Sequence, residues 1–406
     1  MPTVLFVAPF FLETTLRFVE AVADLPGVRT GLISQDPAER LPAGLRGKLA
    51  AHWRIDDGLA PQRIAEAVRA LAGRIGPPDR LLGTLEQLQV PLGEVREALD
   101  IPGMRSEAAK NFRDKARMKS VLAGAGIPCA RHQRVLDERE AWRFAEAVGY
   151  PLVLKPTAGA GAKSTYRVYG PEELAAALAA TRPSAERQAV VEEFVTGDEF
   201  SFDTVSVRGR AVWHSLSHYL PAPLHVLDNP WIQWCVMIPR EIDDPRYDDI
   251  RRVARRALET LGMDTGLSHL EWFRRRDGSV LVSEVGARPP GAQITSLISY
   301  AHDVDFYRAW ARLVVFEQFD PPARRYAAGC AYLRGQGQGK VRQVLGVAEL
   351  QRELGGLVVE ARLPQPGQAQ ASSYEGEGYI IVRHPETAVV ERALRQIVST
   401  IRVELA

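Results

Sequence analysis

Short apolar runs alternate with amphipathic stretches along the first hundred positions. Val4-Leu5-Phe6-Val7-Ala8, closed by Pro9, is five apolar residues in a row, as a strand buried on both faces requires. Residues 30–34 predict a second strand. Residues 64–75 carry apolar positions at helical spacing and stop at Gly76-Pro77-Pro78. A third strand follows at 80–83. Strands alternating with helices predict an open α/β domain over residues 1–103, ending at the turn Ile101-Pro102-Gly103. It holds no G-x-G-x-x-G, so dinucleotide binding is not indicated.

The texture changes at Ser106. Residues 106–125 predict one charged amphipathic helix with Ser106 as N-cap. A strand is expected around 134–136, a helix over 138–148 and a strand at 152–155. That strand runs into a loop of Gly, Ala, Ser and Thr from 156 to 165. Residues 171–180 predict an alanine-rich helix and 189–195 a strand. Residues 200–207 and 211–215 predict a hairpin around Arg208-Gly209-Arg210. A helix at 248–261 is followed by strands at 268–274 and 280–285, whose connection contains Asp277-Gly278, a strong hairpin signal. Beyond Asp320-Pro321-Pro322 strands are expected at 328–333 and 378–382, with a last helix at 386–397. These elements divide the chain into 1–103, 104–318 with a small subdomain at about 130–195, and an α+β region at 319–406.

Composition narrows the partners. The chain has 406 residues and a formal net charge of +1, so it is not built to neutralise nucleic-acid backbones. No apolar run approaches the roughly 18 residues that span a bilayer. The first residues read as a strand rather than a signal peptide. Cys129, Cys235 and Cys330 lie far apart without metal-ligand spacing, which fits buried filler in a reduced, cytoplasmic protein. A homodimer is the base-rate expectation for a soluble enzyme.

Four segments could carry chemistry. A buried strand ending in Lys155, then small residues including Gly159, Gly161 and Ser164, suits a phosphate site, although a glycine-rich turn is the plainer reading. Lys115 alone would be a solvated helix lysine. Glu192-Glu193-Phe194-Val195, with Glu199 beyond, either leaves a strand for a turn or lines a nucleotide base. Glu271 and Glu284 stand 13 positions apart on the two strands of the predicted hairpin. Mg²⁺ takes a few carboxylate oxygens and completes its shell with phosphate and water, so such a pair suits it. Arg288, four residues on, is a planar donor suited to a carboxylate or phosphoryl group. His214, His218 and Trp231 fall in an aromatic-rich stretch, 214–234, that could line a substrate pocket or pack on itself.

In this order the segments resemble the ATP-grasp superfamily of carboxylate–amine and carboxylate–thiol ligases, over roughly residues 104–316. Its biotin-carboxylase-like branch, which includes dipeptide-forming amino-acid ligases, looks nearest. The resemblance implies an ATP-grasp fold of mixed α/β and α+β character, with an open α/β domain in front and a small C-terminal domain. It implies ATP with Mg²⁺, for which Mn²⁺ could substitute. It assigns Lys115 and Lys155 to the phosphates and residues 159–165 to a closing loop. Glu192, Glu193 and Val195 go to adenine, and Glu199 to ribose. Glu271 and Glu284 go to the metal, and Arg288 to the reacting centre. Gly286 departs from the family's usual asparagine, a further metal ligand. The implied reaction activates a carboxylate, expected to be an amino acid's, as an acylphosphate and couples it to an amine. A non-catalytic nucleotide-binding module, a purine-pathway ligase and a biotin-dependent carboxylase are the alternatives.

Overall fold

The apolar run at the N-terminus forms β1 (Thr3–Val7), and all five of its residues are buried. It pairs in parallel with β2 (Arg29–Ser34) and β4 (Arg80–Leu82), and β2 pairs in parallel with β3 (Ala51–Arg54), giving the order β3-β2-β1-β4. Helices α1 (Glu13–Ala23), α2 (Ala43–Lys48), α3 (Pro61–Ile75) and α4 (Gln89–Ala98) complete this α/β unit. Pro61 opens α3, where a missing N–H costs nothing, and Gly76 closes it at φ 95°. This computed structural model describes residues 1–158, 165–221, 226, 233–371, 373 and 375–406.

The single helix expected over 106–125 is two helices, α5 (Ser106–Arg113) and α6 (Lys115–Gly124). Asp114 between them is extended, and its carboxylate accepts the Arg117 N–H at 3.0 Å and pairs with Arg134 at 2.7 Å. Ser106 is not a cap: Glu97 takes its N–H at 2.8 Å and its hydroxyl at 2.7 Å. The break makes Lys115 the first residue of α6. Asp114→Ala should therefore cost about 1 kcal/mol, the usual worth of an N-cap, readable as a shift in the denaturant midpoint at unchanged slope.

An antiparallel sheet follows, β5 (His132–Val135), β6 (Leu152–Pro156), β7 (Tyr166–Val168) and β8 (Ala189–Glu193), in the order β5-β8-β6-β7. Helices α7 (Glu138–Val148) and α8 (Pro171–Thr181) belong to the same unit. Leu152, Leu154 and Val191 share a core with Phe144 and Leu174 from these helices. Side chains alternate along a strand, so Val153, Lys155, Val190 and Glu192 share the opposite face, with Lys155 beside Val190 and Val153 beside Glu192.

Among the described residues the largest sheet has eight strands. They are β9 (Asp198–Val207), β10 (Arg210–Leu220), β11 (Trp234–Ile238), β12 (Gly266–Arg274), β13 (Val280–Gly286), β14 (Ala327–Leu333), β17 (Val358–Arg362) and β18 (Gly378–His384), in the order β13-β12-β9-β10-β11-β14-β18-β17. Strands from beyond residue 319 thus continue the sheet that starts at residue 198. A separate small sheet joins β15 (Gly335–Gln336), β16 (Val341–Leu345) and β19 (Arg402–Leu405). Helix α9 (Asp248–Leu261) and α6 pack on one face of the large sheet against Phe202, Leu216, Leu270 and Trp272. Among the described residues the remaining α-helices are α10 (Ile294–His302), α11 (Phe306–Phe316), α12 (Val347–Leu354) and α13 (Thr387–Thr400). On β12 the alternation sends Leu270 and Trp272 into that core and His269, Glu271 and Phe273 into a cavity on the other side.

Candidate active site

That cavity, of about 400 Å³, is lined by Lys115, Lys155, Glu192, Glu193, Val195, Glu199, Glu271, Glu284 and Arg288. Residues scattered over 174 positions of sequence therefore share one space. Gly159, Gly161, Ser164 and Trp231 lie outside the described residues. His214 and His218, expected as substrate contacts, need a correction. Both stand on β10, on the same face as Leu216, and point into the core under α9. His214 stacks on Phe202 at 4.9 Å between ring centroids, and His218 Nε2 lies 3.1 Å from the Tyr247 hydroxyl. Burial lowers both pKa values to about 4, so they are neutral core histidines. Tyr219, next along the strand, faces the cavity instead.

Glu271 and Glu284 are direct cross-strand partners on β12 and β13, with a bulge just after Glu271. Lys115 Nζ contacts Glu284, and its backbone N–H is anchored on the Thr157 carbonyl at 2.8 Å. Burial alone would raise the Glu284 pKa, but Lys115 and Lys155 outweigh it and lower it. Glu199, entering β9, goes the other way. Burial and the charges of Glu271 and Glu284 push it up to about 8 against the pull of Lys155. Glu271 and Glu284 thus face the cavity as a carboxylate pair, with Glu199 beside them. A divalent cation fits such a place. Among the described residues no three His, Cys, Asp or Glu side chains group so as to hold a metal ion by themselves. Two carboxylates suit an ion such as Mg²⁺ that keeps phosphate and water ligands.

Lys155 Nζ contacts one oxygen of Glu192. The other oxygen lies 3.0 Å from Lys119 Nζ, which also donates to the Ser283 carbonyl at 2.8 Å. Burial would raise the Glu192 pKa, yet the two ammonium groups hold it at about 2. Burial also opposes the charge on Lys155, and Glu192, Glu284 and Glu271 overcome it, raising its pKa. The Glu193 side chain turns outward to Arg131, at 2.7 Å.

Arg288 is held rigidly. Its Nε donates to Glu86, and its Nη1 to the Pro289 carbonyl at 2.9 Å. Glu86, buried in the turn Glu86–Leu88, comes from the N-terminal unit, and Arg113 lies 4.0 Å from it. No sequence signal marks Glu86, because its partner is 202 positions away. Lys119 could have been found, since it follows Lys115 by one helical turn. His269 was also legible as the residue two before Glu271 on one strand face. Its Nδ1 lies 2.7 Å from Asp203, and its Nε2 lies 3.2 Å from the Tyr219 hydroxyl and 3.7 Å from Glu271. Burial works against its charge, but Asp203 and Glu271 raise its pKa to about 9.

Residues 120–299 match the family model of the ATP-grasp domain. These residues form an ATP-grasp domain. An L-arginine-specific L-amino acid ligase of Bacillus subtilis is 23% identical to this chain over 277 residues, covering 66% of each. The match thus spans slightly less than two thirds of that relative. The fold is that of the L-amino acid ligase from Bacillus licheniformis, with a TM-score of 0.82 at 18% identity over 100% of this chain and 99% of that one. It is also shared by the biotin carboxylase domain of the Hydrogenobacter thermophilus 2-oxoglutarate carboxylase, solved with MgADP and bicarbonate. That comparison has a TM-score of 0.68 at 17% identity over 99% and 90% of the two chains. Among the described residues of this chain, no helix is long and apolar enough to cross a membrane.

Proposed function

We propose that the chain is an ATP-dependent ligase that activates the carboxylate of an amino acid and joins it to an amine, releasing ADP and phosphate. One observation carries this reading: Lys115, Lys155, Glu271, Glu284 and Arg288 converge on a single cavity, the cationic groups and the paired acids together. Lys115 and Lys155 would donate to phosphate oxygens, with adenine toward Glu192, Glu193 and Val195. Glu271 and Glu284 would hold Mg²⁺, which supplies positive charge to the phosphate oxygens when bound.

The chemistry is positioning and electrostatics rather than covalent protein chemistry. A substrate carboxylate oxygen attacks the γ-phosphorus as the bond to ADP breaks. The amine nitrogen then attacks the acyl carbon, loses a proton, and phosphate departs. Arg288 would donate to the carboxylate and to the oxyanion that forms from it. Phe18, Tyr219, Trp234 and Ile294 line the same cavity and offer apolar surface for an amino-acid side chain. The amino-acid ligases among the comparisons support this substrate class.

The test is release of ADP and phosphate with amino-acid pairs, with the condensed product read by mass spectrometry. The expected outcome is ADP formation that depends on a pair and matches the amide formed. Nucleotide binding without turnover on any pair would favour a non-catalytic module. Turnover that needs bicarbonate rather than an amino acid would favour a carboxylase.

A further inference from the structure

Lys119 has no place in the reaction above, yet it is among the most enclosed charged groups in the molecule, at 1% exposure. A lysine is rarely buried without a purpose that repays its desolvation. Its ammonium joins two units: it pairs with Glu192 on β8 at 3.0 Å and donates to the Ser283 carbonyl on β13 at 2.8 Å. Ser283 is the residue before Glu284. Glu192 therefore has two lysines, one on each oxygen, and they are not equivalent. Lys119 is tied to a backbone carbonyl as well. Lys155 is drawn not only to Glu192 but also toward Glu284 and Glu271, across the cavity.

We infer that Lys119 is a positioning residue that keeps Glu192 paired, so that Lys155 is free to leave that carboxylate for the phosphates of a bound nucleotide. The inference rests on the nucleotide-site reading above. A buried carboxylate with one cation holds it firmly, because departure would leave an uncompensated charge. A second, permanent cation removes that penalty. The same ammonium fixes the distance between the β8 strand, which carries Glu192, and the β13 strand, which carries Glu284.

Calorimetric titration of the full chain with MgADP tests this, using wild type, K119M, K119R, E192Q and K119M/E192Q. K119M should weaken binding about tenfold or more, because Glu192 now retains Lys155. The same change made in E192Q should cost less than about twofold, since no carboxylate remains to compete. K119R, which keeps the charge but puts a larger planar group where the ammonium is 1% exposed, should fall between wild type and K119M, and its loss should also vanish in the E192Q background. K119M binding like wild type overturns the inference. So does an equal loss in both backgrounds, which would mean that Lys119 acts on the fold and not through Glu192. Should K119M fail to fold, K119R decides by the same comparison. Wild type failing to bind MgADP would instead sink the nucleotide-site reading.

Discussion

Replacing Glu284 with alanine is expected to lower ADP formation by about 10³-fold or more while the chain stays folded. Two losses add at this position. The change takes away one of only two carboxylates that face each other across β12 and β13, so a bound metal would keep a single protein ligand. It also removes an acidic partner of Lys115, a lysine with 7% exposure. The fold should tolerate the change. Val280, Val282 and Val285 anchor β13 in the core, and the Glu284 side chain is itself 26% exposed. Circular dichroism should match wild type, and coupled ADP release should be nearly lost. Glu284→Asp, which keeps a shortened carboxylate, should recover part of the rate. Removing divalent ions with a chelator should abolish turnover, and Mg²⁺ or Mn²⁺ should restore it. Full activity in Glu284→Ala would rule out the metal assignment.

The elements that carry this pair were readable because their signals are local. Asp277-Gly278 marks the turn, and Gly278 has φ 83° there. Apolar residues on alternate positions of the flanking strands mark one face. The helix at 248–261 was legible for the same reason, with a sharply divided polar and apolar surface. Signals failed where the deciding partner is distant. Strand β3 has no buried residue and reads as loop, yet it extends a parallel sheet. Helix α10 has seven of its nine residues buried, so no polar stripe reveals its period. The split between α5 and α6 depends on Asp114 finding Arg134 and the Arg117 N–H. His214 and His218 were misplaced because the chain was expected to leave the sheet near residue 215. With β10 running on to Leu220, strand parity sends both to the core and Tyr219 to the cavity. The candidate site was legible as a set of residue types in order. Its internal pairing, with Glu86 on Arg288 and Lys119 on Glu192, was not, because those contacts join elements far apart in the chain.

Arg288→Lys is expected to lower kcat/KM for the carboxylate substrate by about 10²-fold and to leave affinity for a non-hydrolysable MgATP analogue within about twofold. The reason lies in how the arginine is held. Nε is committed to Glu86 and Nη1 to the Pro289 carbonyl, which fixes the plane of the guanidinium beside the cavity. Lysine keeps the charge but offers one point donor, which cannot satisfy Glu86 and also present an aligned edge to a carboxylate. The buried Glu86 would draw the ammonium toward the N-terminal unit and away from the reacting atoms. Glu86→Gln should therefore give a smaller loss of the same kind, because the amide still accepts from Nε but no longer holds it by charge. The nucleotide affinities separate this reading from the obvious rival. If Arg288 served the triphosphate, Arg288→Lys would weaken binding of a non-hydrolysable MgATP analogue and raise KM for ATP in parallel, with the amino-acid KM unchanged. If it serves the carboxylate, the amino-acid substrate carries the loss and the nucleotide does not.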